Sequence, residues 1–341
     1  MKRILITGGT GFIGSNIVNK IAGSGDELRL LVEPRRIEAA EEIGRRTAGN
    51  ISIFEGDVRD FEAVKKALKG CDTVVHLAAV LKDSGHKELI RGVNLGGTEN
   101  LLRGSSEAAV RRFVFVSSLS VHRYRDISSG TEGFPADAVS PEYAATKAEC
   151  EKIVMEESAR SGMEWVIIRP GLVPFGEGDY LFTGRILSLI NAGVIPLVDG
   201  GRHLLCTSYI GNLVHGIELA IRSAAKDSAF IITDQTVTTW RAFLDSMARG
   251  LGVRGFRISL PAKVLAPFCG ISEKLIGKIA EPPVTRYRLD LLGHDLYFHA
   301  GAAAELLNYK PVYTIEEGIK RTVRWYKGGK TSKHNDTDQG C

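Results

Sequence analysis

The sequence predicts an α/β fold, a doubly wound parallel sheet followed by a smaller C-terminal lobe, and three observations carry that prediction. Short, continuously apolar runs rich in β-branched residues recur through the first half of the chain, as strands covered on both faces require. Stretches of helical period lie between them, the alternation that builds parallel sheets. The first run leads at once into Thr7-Gly8-Gly9-Thr10-Gly11-Phe12-Ile13-Gly14, a glycine-rich turn between a strand and a helix.

Taken in order, strands are expected over 3–7, 28–32, 51–54, 73–77, 112–117 and 164–169. Phe61, Val64 and Leu68 recur at helical spacing over 60–68, and Thr98 opens another helix. Right-handed crossovers place such helices on both sheet faces. After Pro170 come glycine-rich loops at 175–179 and 199–202, a helix near 212–223 and a strand near 230–233. Residues 1–170, with returning segments near 203–233, are expected to form a dinucleotide-binding domain, and 171–326 a substrate lobe. That lobe closes with an amphipathic helix over 314–326 carrying Ile315, Ile319, Val323 and Trp325. Residues 327–341 are almost devoid of apolar side chains and are expected to be a disordered tail. The segment 261–280 carries Val264, Leu265, Phe268, Ile271, Leu275 and Ile279 beside Lys263, Lys274 and Lys278. Packing onto the lobe is the expectation there, with an interfacial helix as the alternative.

Composition narrows the function classes. A chain of 341 residues, 44% hydrophobic and 25% charged, is neither disordered, collagen-like nor stapled by disulfides. Five scattered cysteines without a C-x-x-C pair point to a reducing cytoplasm. The start lacks the pattern of a secretory signal, and no run reaches the ~18 apolar residues of a transmembrane anchor. A net charge of +4 spread thinly does not suggest a nucleic-acid partner. His76, His86, His122, His203, His215, His294 and His299 show no ligand spacing, so no metal is expected.

The glycine turn carries the first chemistry. Without side chains at Gly8, Gly11 and Gly14, backbone amides around Phe12 and Ile13 can approach a pyrophosphate at a helix N-terminus. Glu33 closes the second strand about 20 residues later, where a carboxylate accepts from adenosine ribose hydroxyls and repels a 2′-phosphate. NAD is therefore preferred to NADP, although Arg35 and Arg36 follow and guanidinium groups bind phosphate. Asp57 and Val58 can bracket an adenine, Asp57 being otherwise a turn residue. Leu77, Ala78 and Ala79 offer small side chains where a cofactor can lie close to the backbone, or else where helices pack.

Tyr143 and Lys147, four positions apart, share one helical face. A phenol acts as a base near neutral pH only if its pKa falls from about 10, and a neighbouring ammonium favours that. Ser118, at the carboxyl end of the fifth strand, can orient a substrate oxygen, with Ser117 and Ser120 as rivals.

Together these pieces resemble the extended short-chain dehydrogenase/reductase family, from Lys2 to about Tyr326. Gly56-Asp57-Val58, His76-Leu77-Ala78-Ala79, Asn94 with Gly97-Thr98, and Arg169-Pro170-Gly171 complete the match. The resemblance implies a Rossmann domain and a Ser118/Tyr143/Lys147 hydride-transfer site. It places Asn94 beside the cofactor and Pro170 to Val173 near the nicotinamide, and helices over 94–108 and 143–160 would pair in a homodimer. Tyr209-Ile210-Gly211-Asn212-Leu213-Val214, Phe230-Ile231-Ile232-Thr233-Asp234 with Trp240 and Phe243, Pro282-Pro283-Val284-Thr285-Arg286 and Leu306-Leu307-Asn308-Tyr309-Lys310-Pro311 are similar to the 3β-hydroxysteroid dehydrogenase branch.

That branch implies NAD-dependent interconversion of a secondary alcohol and a ketone on an apolar small molecule. The alternatives are a sugar-nucleotide epimerase or dehydratase with transient oxidation, and a nucleotide sensor without turnover. Between 171 and 202 only Arg185 and Arg202 could meet a diphosphate, which favours the first reading.

Overall fold

Seven strands form one parallel sheet: β1 (Arg3–Thr7), β2 (Glu27–Val32), β3 (Asn50–Glu55), β4 (Thr73–His76), β5 (Arg112–Val116), β6 (Glu164–Pro170) and β7 (Ser228–Ile232). The spatial order is 3-2-1-4-5-6-7, with every neighbouring pair parallel. The chain runs from the middle to one edge, then crosses back past β1, and the reversal leaves a crevice at the carboxyl ends of β1 and β4. A computed structural model describes residues 1–82, 85–276 and 285–329 of the protein.

Strand periodicity divides the core between the two sheet faces. Ile4, Ile6, Val114 and Val116 pack with Ile17, Val18 and Ile21 of helix Phe12–Ile21 and with Leu213 and Ile217 of helix Ile210–Arg222. Leu5, Phe113 and Phe115 turn the other way. They meet Val64 and Leu68 of helix Phe61–Leu68, Leu101 and Leu102 of helix Gly97–Glu107, and Val154 of helix Glu142–Ser161. The first cluster extends through Phe175, Leu187, Phe243, Met247 and Ile319, so the later helices Thr183–Asn191, Trp240–Leu251 and Ile315–Gly329 share the sheet's core.

Several element ends differ from expectation by one or two residues, and three of the differences bear on the crevice and the tail. The fourth and fifth strands stop at His76 and Val116, which leaves Leu77 and Ser117 in the loops over the crevice. The last helix continues to Gly329, so 327–329 are helical and not tail, and Lys327 Nζ donates to the Gly250 carbonyl at 3.1 Å. The remainder of the expected tail, 330–341, lies outside the described residues, as do Lys278, Ile279 and Pro282-Pro283-Val284.

Candidate active site

The turn after β1 is shaped by contacts that only glycine tolerates. Gly8 has φ +70, and a Cβ there would stand 2.7 Å from the Ala78 nitrogen, so the turn lies directly on the loop leaving β4. A Cβ on Gly14 would fall 2.0 Å from the Gly8 carbonyl oxygen, which lets the helix begin against the turn. The Gly11 amide donates to Gly8 O at 3.0 Å, and no side chain caps the helix that follows. Gly11 is exposed, with Phe12 and Ile13 half-buried behind it. This cradle fits an anion that takes its hydrogen bonds from backbone amides.

Glu33 directly follows β2 and is ion-paired to Arg35 at 2.6 Å. Asp57 follows β3 and is held by Arg59 at 2.6 Å; that hydrogen bond keeps its carboxyl below the usual range. Val58 is buried, while Leu77, Ala78 and Ala79 remain half-buried along the crevice.

Behind the crevice a buried hydrogen-bonded line joins three elements. The Ala78 amide donates to Thr7 Oγ1 at 3.2 Å, Thr7 Oγ1 lies 2.7 Å from His76 Nδ1, and His76 Nε2 lies 2.9 Å from Thr98 Oγ1. Thr98 in turn donates to the Asn94 carbonyl, so the line is satisfied with His76 neutral and protonated on Nε2. Burial, and secondarily the charge of Lys147, push His76 down to about 3. The Asn94 carboxamide accepts from the Val80 amide at 2.7 Å and donates to Thr146 Oγ1 at 3.2 Å. Asn94 thus ties the loop after β4 to the helix that bears Tyr143 and Lys147.

That helix, Glu142–Ser161, turns Lys147, Cys150, Glu151 and Val154 inward. Tyr143 stands beside Ser118, whose Oγ accepts from the Ser120 amide at 3.1 Å. Burial pushes the Tyr143 phenol well above its ordinary value, and the neighbouring Ser118 hydroxyl pulls it back. Lys147 Nζ donates to the Val116 carbonyl at 2.8 Å and lies 4.6 Å from the Phe115 ring centre. Burial lowers its ammonium to about 8.

The structure therefore brings Ser118, Tyr143 and Lys147 to the carboxyl end of β5. Ser117 and Ser120 are buried, and neither hydroxyl has a partner among the described residues.

At the end of β6, Arg169 makes a bidentate pair with Glu151, at 2.9 and 2.7 Å, with both side chains buried. Its remaining nitrogen donates to the Glu132 carbonyl at 2.8 Å. Pro170 is buried, the Gly171 amide donates to Ser208 Oγ at 2.8 Å, and Val173 pairs with Thr207.

Sequence reasoning missed the Arg169–Glu151 pair and the role of Thr7 and Thr146. A signal existed: Glu151 lies on the Tyr143 and Lys147 stripe, where a carboxylate beside Cys150 and Val154 needs a buried partner.

Among the histidines, His203 stands with Asp126 and Asp295, their ligand-type atoms within 4.8 Å of one another. Both carboxylates accept backbone amides, Asp295 N to Asp126 at 3.0 Å and Leu204 N to Asp295 at 2.8 Å. The cluster ties three segments together.

Over residues 5–262 the sequence matches the 3-beta hydroxysteroid dehydrogenase/isomerase family, which is more than half of the chain. The chain belongs to that family. With it comes membership of the extended short-chain dehydrogenases/reductases. A relative in Arabidopsis thaliana, 3beta-hydroxysteroid-dehydrogenase/decarboxylase isoform 2, is 29% identical over 94% of this chain. The match spans 61% of that relative's length. The 3 beta-hydroxysteroid dehydrogenase/Delta 5-->4-isomerase of Mycobacterium tuberculosis is 27% identical over 95% of this chain and 90% of its own. In fold, the chain is similar to the dTDP-glucose 4,6-dehydratase DesIV of Streptomyces venezuelae with NAD and TYD bound. The TM-score is 0.77 at 24% identity, covering 96% of this chain and 98% of that one. The family match takes in the glycine turn, Ser118, Tyr143, Lys147 and Asn212, and it ends before helix Arg286–Gly293.

Proposed function

We propose that this member of the 3-beta hydroxysteroid dehydrogenase/isomerase family is an NAD-dependent oxidoreductase interconverting a secondary alcohol and a ketone on a largely apolar, 3β-hydroxysteroid-like small molecule. The observation that carries the reading is Tyr143 beside the Ser118 hydroxyl and one helical turn from a buried Lys147 ammonium, at the carboxyl edge of a sheet whose first turn is an open amide cradle. Gly8, Gly11, Phe12, Ile13 and Gly14 would hold the pyrophosphate of NAD, and Glu33 its adenosine ribose. Asp57 and Val58 would bracket the adenine, Leu77, Ala78 and Ala79 would line its path, and Pro170 and Val173 would flank the nicotinamide. Asn94 supports this path from behind. When bound, NAD supplies the hydride acceptor.

Tyr143 holds or releases the proton of the reacting oxygen. Its burial keeps the phenol protonated, ready to donate in the reductive direction, and the Ser118 hydroxyl favours the phenolate needed for oxidation. Lys147, one helical turn further on, keeps a positive charge at neutral pH while it donates to the Val116 carbonyl.

The test is a screen of hydrophobic secondary alcohols beside UDP-sugars, reading net NADH and product identity. Alcohols should yield NADH, and Tyr143→Phe should abolish turnover while NAD still binds. Saturable UDP-sugar binding, with retained NAD and no accumulating NADH, would overturn the assignment in favour of an epimerase. Two further readings go with it. Among the described residues four cysteines are buried and unpaired, which supports a reducing, cytoplasmic setting, and a homodimer through helices Gly97–Glu107 and Glu142–Ser161 would show a doubled mass in light scattering.

A further inference from the structure

Residues 285–299, beyond the family match, return to the loop that leaves the catalytic serine. Strand Leu296–Phe298 pairs in parallel with Ile127–Gly130, with Leu296 opposite Ile127 and Phe298 opposite Gly130. Leu119, Ile127 and Phe298 are buried in one cluster, and Tyr124, Leu172 and Leu291 pack against it. This cluster adjoins the site along the chain at two points, Leu119 directly after Ser118 and Leu172 directly before Val173.

Helix Arg286–Gly293 is fixed over the same cluster by its cap: Thr285 is fully buried, and its hydroxyl accepts from the Arg288 amide at 3.1 Å. Tyr287 thereby falls in the first turn, and Leu291, four residues on, shares its face. With Leu291 turned to the cluster, Tyr287 lies on Tyr124. Their ring centres are 5.1 Å apart at 24°, and their hydroxyls 2.8 Å apart, although 163 positions separate them in the chain. Both rings are half-buried, so the pair keeps an accessible surface. Burial, and after it the Tyr287 phenol, push the Tyr143 phenol upward, which puts Tyr287 within electrostatic reach of the group that exchanges the proton.

We propose that Tyr287, seated on Tyr124, is a specificity-determining residue of the substrate site, whose ring is a flat wall that selects a rigid, fused-ring secondary alcohol over a flexible one. Stacking and the hydroxyl contact hold the ring in place before any substrate arrives, so binding does not have to order it. A rigid ring system lies along such a face with no rotamers to lose. A flexible chain of equal apolar area must be ordered to make the same contact. The inference rests on the oxidoreductase reading above and adds the residue that discriminates among its substrates.

Steady-state kinetics with dehydroepiandrosterone, a rigid fused-ring secondary alcohol, and 2-decanol, a flexible one, test it. Tyr287→Leu keeps an apolar side chain and loses the flat ring, so the ratio of kcat/KM for the rigid over the flexible alcohol should fall at least about tenfold. Tyr287→Phe keeps the ring, and its ratio should stay within about threefold of the parent's. Thermal unfolding and NADH affinity check that each variant is folded, and Tyr287→Met, also apolar and without a ring, repeats the measurement if Tyr287→Leu is destabilised. A parent that prefers 2-decanol overturns the proposal, as does a ratio unmoved by Tyr287→Leu. A ratio lowered equally by Tyr287→Phe overturns it too, because the hydroxyl and not the ring would then carry the preference. A parent that forms no NADH from either alcohol refutes the oxidoreductase reading instead, and equilibrium dialysis of dehydroepiandrosterone against the chain with NADH then decides. Binding weakened at least about tenfold by Tyr287→Leu, and not by Tyr287→Phe, supports the wall; binding that is absent, or indifferent to both, overturns it.

Discussion

Lys147→Met should leave a protein at least as stable as the parent at neutral pH and without turnover. Lys147 is 3% exposed, and burial lowers its ammonium from 10.5 to about 8. At about 1.4 kcal/mol per pH unit, holding that charge costs the folded state about 3 kcal/mol at pH 7. Methionine has a similar stem and carries no charge. It forfeits the hydrogen bond to the Val116 carbonyl at 2.8 Å and the contact with the Phe115 ring, together about 2 kcal/mol. The balance is about 1 kcal/mol in favour of the variant.

The pH dependence is the sharper readout. Between about pH 8 and 10.5 the unfolded chain keeps a proton that folded Lys147 has released, so wild-type stability rises with pH in that window. The gain is absent from the variant, which should fall about 2 kcal/mol behind the parent near pH 10.5. Urea unfolding of both proteins across this range isolates the difference, because all other groups titrate alike in the two. A variant that loses about 3 kcal/mol at neutral pH, with an unchanged pH slope, would show Lys147 to be a structural residue and refute the reasoning. Retained turnover would refute its catalytic part.

Glu33→Ala should raise NADP binding relative to NAD at least about fivefold by removing a charge beside Arg35; titration that finds wild type already favouring NADP would reverse the assignment. Arg169→Met strands the Glu151 carboxylate in the core and should cost about 3–5 kcal/mol in urea unfolding, most of it recovered by adding Glu151→Leu. His76, held neutral down to about 3, should show no NMR titration near pH 6.5. Protonation of the same residue in the unfolded chain then draws stability down as pH falls from about 6.5 towards 3, an acid-side loss that unfolding at stepped pH would reveal.

Local chemistry made much of this protein legible in one dimension. Continuous apolar runs marked all seven central strands to within two residues, because a strand buried on both faces has nowhere to hide a polar side chain. The turn from Thr7 to Gly14 announced itself because left-handed backbone and close approach exclude every side chain. Tyr143 and Lys147 were visible as a pair because helical spacing alone brings them to one face.

What the sequence could not carry was anything set by partners distant along the chain. Arg169 and Glu151 are 18 positions apart, His76 and Thr7 69, and each pair meets only because the sheet brings its strands and helices together. The same holds for Lys147: its spacing from Tyr143 suggested an ammonium aimed at the phenol, and the fold directs it to the Val116 carbonyl, 31 residues away. Helix Ala262–Ile276 shows the division most plainly. Its composition announced an apolar helix, but which stripe is covered depended on where Val198 and Leu289 arrive in space. Spacing is a property of the chain, whereas burial is a property of what packs against it.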